Sequence, residues 1–81
     1  MTVTLTPSTG IEILVWREDD TFHARRAHDA AETQICLGVD LFEVIAELAG
    51  LDLEDSAQAA EAVALAEDAI RRLRNAAVAS G

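Results

Sequence analysis

The sequence predicts an α+β fold: an antiparallel β-meander of three to four short strands within residues 2–37, then a short helix and a longer alanine-rich helix. Three observations carry this reading. Apolar and polar residues alternate with period two through much of the first half of the chain. A compact apolar stripe between an acidic cap and a glycine covers about 41–49. A repeat spaced alternately by four and three residues runs from Ala59 to Ala77.

Thr2-Val3-Thr4-Leu5-Thr6 alternates with β-branched residues and reads as a first strand, closed by the turn chemistry of Pro7-Ser8-Thr9-Gly10. Ile11 to Glu18 is the strongest strand. Ile11, Ile13 and Val15 point to one face, and Glu12, Leu14 and Trp16 to the other, which implies partial cover on both sides. Glu18-Asp19-Asp20 interrupts the run, and Thr21 to Arg26 resumes it, as a hairpin with a short acidic turn. Residues 27–32 read equally as a loop or one helical turn. Thr33 to Leu37 is a possible further strand, ending at Gly38.

Asp40 with Glu43 forms an N-cap and N3 pair, an aspartate version of the capping box. Leu41, Phe42, Ile45, Leu48 and Ala49 make one apolar stripe, and Gly50 stands where a left-handed C′ residue belongs, with Leu51 after it. Asp55 or Ser56 caps the next helix, about 56–77. Its stripe, Ala59, Val63, Ala66, Ile70, Leu73 and Ala77, is a short heptad seam with alanine at half its positions. The seam serves either as the core face of a helix packed on its own sheet or as a dimer interface. Asp55 and Glu61 early, and Arg71, Arg72 and Arg74 late, match the helix dipole.

Composition bounds the function. The chain of 81 residues is one domain, residues 1–81, and of its hydrophobic 51%, alanine supplies 16 residues and larger apolar side chains 24. That is a thin core, and self-association would help it. One cysteine excludes an internal disulfide, and no apolar run is long enough to span a membrane. Residues 1–10 lack the features of a signal peptide, so a cytoplasmic protein is expected. Lysine is absent, which suggests a GC-rich bacterial or phage genome, or salt adaptation.

The net charge of −9 is lopsided. Residues 1–35 carry six acids against Arg17, Arg25 and Arg26, while Arg71, Arg72 and Arg74 offset that excess at the other end. From Asp40 to Asp68 there are nine acids and no base. Small arginine clusters in so negative a field disfavour direct nucleic-acid binding.

Chemistry-bearing residues are sparse. His23, His28, Asp29 and Cys36 lack metal-ligand spacing, so no metal and no cofactor are expected. Cys36 with His23 or His28 could form a nucleophile and base, but Cys36 lies within Ile35-Cys36-Leu37 and reads as a core thiol. Ser8, Ser56 and Ser80 lack a nucleophile-elbow context, and the glycines form no phosphate loop. The expectation is a non-enzymatic module that binds a basic protein partner as its regulator or inhibitor. Trp16 and Phe22 are candidate aromatic anchors, and Asp52, Glu54, Asp55 and Glu61 the acidic contacts. A homodimer is also expected. The alternatives are an assembly protein that oligomerises through its long helix and a small enzyme or ligand-binding dimer with an interface site.

The order of hairpin, third strand and helices resembles two bacterial families. HicB-like antitoxins place a small sheet before an alanine-rich helix such as Glu61 to Arg74; here the Leu41–Ala49 helix intervenes. The peptide-recognising winged-helix modules of ribosomal peptide biosynthesis place a hairpin before a helix ending in glycine, as Leu41–Gly50 does. The chain beyond Gly50 is short for their remaining helices. Either resemblance implies a protein- or peptide-binding role.

Overall fold

A computed structural model describes residues 1–29 and 32–80, with side chains through Asn75. Four strands, β1 (Thr2–Leu5), β2 (Ile13–Glu18), β3 (Thr21–Arg26) and β4 (Gln34–Cys36), form one sheet in the order β1-β2-β3-β4, each neighbour antiparallel. A 3₁₀ turn, Gly38–Asp40, leads into α1 (Leu41–Ala49), and α2 (Ser56–Ser80) follows. The meander, the short helix and the long helix are therefore the α+β architecture read from the sequence. Ala30 and Ala31, within the ambiguous stretch 27–32, and the side chain of Ala77 lie outside the described residues.

Both helices pack on the same face of the sheet. Period-two alternation sends Val3, Leu5, Ile13, Val15, Phe22 and Ala24 to that face, all buried. From α1, Leu41, Ile45, Leu48 and Ala49 meet them, with Leu51 just beyond. Contacts of α1 centre on β3 and those of α2 on β1, while the two helices also pack on each other. No polar side chain is buried among the described residues, so the core is held by apolar burial.

The buried face of α2 differs from the heptad seam. Ala62, Ala66, Ala69 and Leu73 are buried, while Val63 is 39% exposed and Ala59 and Ile70 are half-buried. The two phases share Ala66 and Leu73. With alanine on several sides of α2, the apolar pattern defines no sharp stripe, and the helix turns the side that approaches α1 and the sheet most closely. Ala66 and Leu73 thus serve this chain's own core and are not free for a second copy.

Several local expectations are corrected. Ile11 is 37% exposed and lies outside β2, because the chain is still leaving the turn at Gly10 (φ 86°). Pairing there is irregular, through the Ala27 amide donating to the Glu12 carbonyl at 3.0 Å. Asp40 makes no capping hydrogen bond from its side chain. The preceding 3₁₀ turn places Asp40 in right-handed helical conformation, and the Leu41 amide donates to the Gly38 carbonyl, so backbone takes the cap's role. Arg71, Arg72 and Arg74 stand more than a turn before the end of α2, and the first two pair with Asp68 instead (2.6 and 3.3 Å).

Other punctuation forms as read. Gly50 is left-handed (φ 75°, ψ 30°), and the amides of Gly50 and Leu51 both donate to the Ala46 carbonyl, which closes α1 and turns buried Leu51 back onto the core. Asp55 caps α2: its Oδ1 accepts from the amides of Ala57 (2.9 Å) and Gln58 (3.1 Å). The β2–β3 turn holds Asp19 at φ 54°, a left-handed conformation in which aspartate is tolerated better than most residues.

Candidate functional site

Three surfaces remain once the core is assembled: the open sheet face, the free edge at β4, and the outer surface of the helical layer. Each follows from where period two or the helical period leaves its side chains.

Among the described residues, no element covers the outer sheet face. Trp16 and His23 are directly opposed in the β2–β3 register and stack with ring centroids 5.6 Å apart at 20°. Thr2 lies beyond Trp16 and Ile35 beyond His23, so one row crosses all four strands. The His23 Nε2 is 3.1 Å from the Glu18 carboxylate and 3.3 Å from the Thr21 hydroxyl. Leu14 and Trp16 are half-buried by their cross-strand neighbours, which accounts for apolar residues on both faces of β2.

At the sheet edge, β4 pairs with β3 on one side and, among the described residues, with no strand on the other. Ile35 is 64% exposed, Leu37 55% and Val39 77%, whereas Cys36 between the first two packs on the core. Cys36, read as a core thiol, is thus half-buried against the core, with its two neighbours in the run exposed. A three-residue edge strand turns one side chain in and leaves its flanking neighbours out. Burial and then the Asp40 charge push the Cys36 thiol above the ordinary cysteine range, which makes it a poor nucleophile at neutral pH. Next to this edge, a groove of about 500 Å³ has Phe22, Gly38 and Ile70 in its walls and Arg17, Asp20 and Arg74 around it. A side-chain carbon on Gly38 would stand 3.2 Å from the Phe22 ring, so this glycine is where the chain passes closest to the core.

The helical layer carries the acids. Asp40, Glu43 and Glu47 lie along the exposed side of α1, and Asp52, Glu54 and Asp55 follow in the α1–α2 loop. Of the nine acids from Asp40 to Asp68, Asp68 alone has a basic side chain within 4.0 Å among the described residues. Glu61 is held differently. It accepts the Ser8 hydroxyl (2.6 Å) and amide (2.7 Å), and those two hydrogen bonds lower its carboxyl below the ordinary glutamate range. Asp52 Oδ1 accepts from the Glu54 amide, and Gln58 Oε1 from the Asp52 amide. Asp52 and Asp55 thus also organise the α1–α2 loop, and Glu61 ties α2 to the turn after β1, leaving Glu54 without such a role.

The expected contact residues are not brought together. Trp16 lies on the open face, Phe22 on the opposite, inward face at 8% exposure, and the acids lie on the helices. Phe22 is part of the core and reaches the surface only at the groove. The exposed trio Ile35, Leu37 and Val39 was not singled out from the sequence. Its signal was present, since alternation opposes Ile35 and Leu37 to Cys36 in what is the last strand of a meander. Arg26 was also overlooked: its Nε donates to the Leu48 carbonyl (2.8 Å), tying β3 to the end of α1.

Among the described residues, no three His, Cys, Asp or Glu side chains converge as a metal site, and no helix is long and apolar enough to cross a membrane. Comparisons with protein-family models, curated proteins and solved structures found no match.

Proposed function

We propose that this is a non-enzymatic, cytoplasmic protein-binding module, a regulator or inhibitor that takes a basic protein partner on the acidic surface of its helical layer. The supporting observation is the uncompensated row Asp40, Glu43 and Glu47 on α1, continued by Glu54 in the loop, all exposed. Uncompensated like charge destabilises a small fold by self-repulsion, and it also speeds encounter with an oppositely charged surface. Of the six arginines, Arg26 reaches the end of α1, where it donates to the Leu48 carbonyl and pairs with Asp29; the other five lie on the strands and the later part of α2.

The test is calorimetric titration with an arginine-rich helical peptide at low and at high salt, repeated on the Glu43→Gln, Glu47→Gln, Glu54→Gln triple variant. Those three carboxylates make no hydrogen bond or ion pair among the described residues, so the fold should persist. Binding that weakens about tenfold or more with salt and in the variant supports the reading. Equal binding by the variant, or none by the parent protein, removes it.

A further inference from the structure

We infer that the free edge of β4 is the seat of a second copy of this chain, paired antiparallel across a two-fold axis at Ile35 to continue the sheet from one protomer into the next. This stands independently of the acidic surface on the helices and uses a different part of the molecule.

Four observations carry it. First, among the described residues no strand lies beyond β4, so its outer side offers unpaired backbone groups; the edge is blunted by its shortness, three residues, and not by charge or proline. Residues 33–39, Thr33-Gln34-Ile35-Cys36-Leu37-Gly38-Val39, contain no charged residue and no proline. Second, the most exposed large apolar side chains besides Met1 are Val39, Ile35 and Leu37, all at this edge.

Third, the charge distribution fits a copy of the chain. In a protein of net charge −9, the uncharged segment is bracketed by Glu32 and Asp40. Antiparallel pairing centred on Ile35 sets Gln34 opposite Cys36, Thr33 opposite Leu37 and Glu32 opposite Gly38. The bracketing acids then miss each other. A basic partner would find no complementary charge along this edge. Fourth, the row Thr2, Trp16, His23 and Ile35 crosses the open sheet face and would continue through the partner's Ile35 into the same row reversed. Such an interface is isologous and closes at two copies.

The edge is small. A stable interface buries roughly 800 Å² per partner, a large share of the 4881 Å² this chain exposes. A three-residue strand that carries Ile35, with Leu37 and Val39 beside it, buries less, so the dimer is a weak one whose population rises through the micromolar range.

Sedimentation velocity on the full chain from about 1 µM to 1 mM tests this. The average mass should climb from monomer toward dimer, and Ile35→Lys, at an already exposed site, should raise the dissociation constant tenfold or more with an unchanged circular dichroism spectrum. Opposed residues in an antiparallel pair stand roughly 4.5–5.5 Å apart at Cα, within disulfide reach. In a Cys36→Ser background, Ile35→Cys should therefore cross-link under oxidised glutathione, and Val63→Cys on α2 should not. A chain that stays monomeric throughout overturns the inference, as does dimerisation unaffected by Ile35→Lys, or cross-linking at position 63 in place of 35. An edge reserved for a different protein's strand would give the first of these results.

Discussion

Truncation of Leu73 against truncation of Val63 tests which side of α2 holds the fold together. Leu73 is 5% exposed and Val63 39%. Leu73→Ala removes three buried carbons, about 2.4 kcal/mol of transfer free energy, and the cavity left behind brings the loss to about 2.7–5 kcal/mol. Val63→Ala removes two carbons that are about three-fifths buried, about 1 kcal/mol. The better helix propensity of alanine returns about half of that. A domain of 81 residues has a total stability of about 4–12 kcal/mol, so the first variant should lie close to unfolding and the second near the parent protein. Urea denaturation followed by far-UV circular dichroism measures both, at low micromolar concentration so that self-association adds nothing. Equal losses, or a larger loss at Val63, would refute the packing phase and restore the heptad seam as the structural face.

Other consequences are smaller. Asp19→Gly relieves the left-handed residue of the β2–β3 turn (φ 54°) and should stabilise the fold by about 0.5–1 kcal/mol in the same denaturation assay. Gly50→Ala meets no atom within 4 Å, so its cost is backbone strain alone, about 1–2 kcal/mol, and an equally stable variant would contradict the left-handed cap. The lowered Glu61 carboxyl stabilises the fold fully above the ordinary glutamate pKa of ~4.3 and loses that contribution as pH falls through its folded value. Glu61→Gln should accordingly flatten the acid limb of a thermal-stability profile, and Ser8→Ala should flatten it in part; an unchanged limb would count against the Ser8–Glu61 link.

The sheet was legible because β2 and β3 are rich in β-branched or aromatic residues, and the period of two sorts their side chains onto two faces even where, as at Leu14 and Trp16, both faces carry apolar residues. The end of α1 was legible because Gly50 meets a steric requirement that few residues satisfy. Its start was not. Asp40 and Glu43 have the right spacing for a capping box, but cap geometry depends on how the chain arrives, and the 3₁₀ turn at Gly38–Asp40 holds Asp40 in right-handed helical conformation, not the extended one from which a capping side chain reaches the second and third amides. Of the expected contact residues, Phe22 could not be assigned to core or surface from its own strand, since that depends on which sheet face the helices cover.

By itself, the sequence determined the α+β order of elements, the punctuation at Gly50, the cap of α2 to within Asp55 or Ser56, and the run of nine acids with no base from Asp40 to Asp68. Those are local properties: backbone sterics, short-range hydrogen bonds and charge count. Tertiary structure alone decided which side of α2 faces inward and which strand is left at an edge. Alanine is small enough to lie on either side of a helix, so the choice passed to the surfaces α2 packs against. Apolar Ile35, Leu37 and Val39 look like core residues until strand order shows β4 at the edge, with no strand beyond it among the described residues.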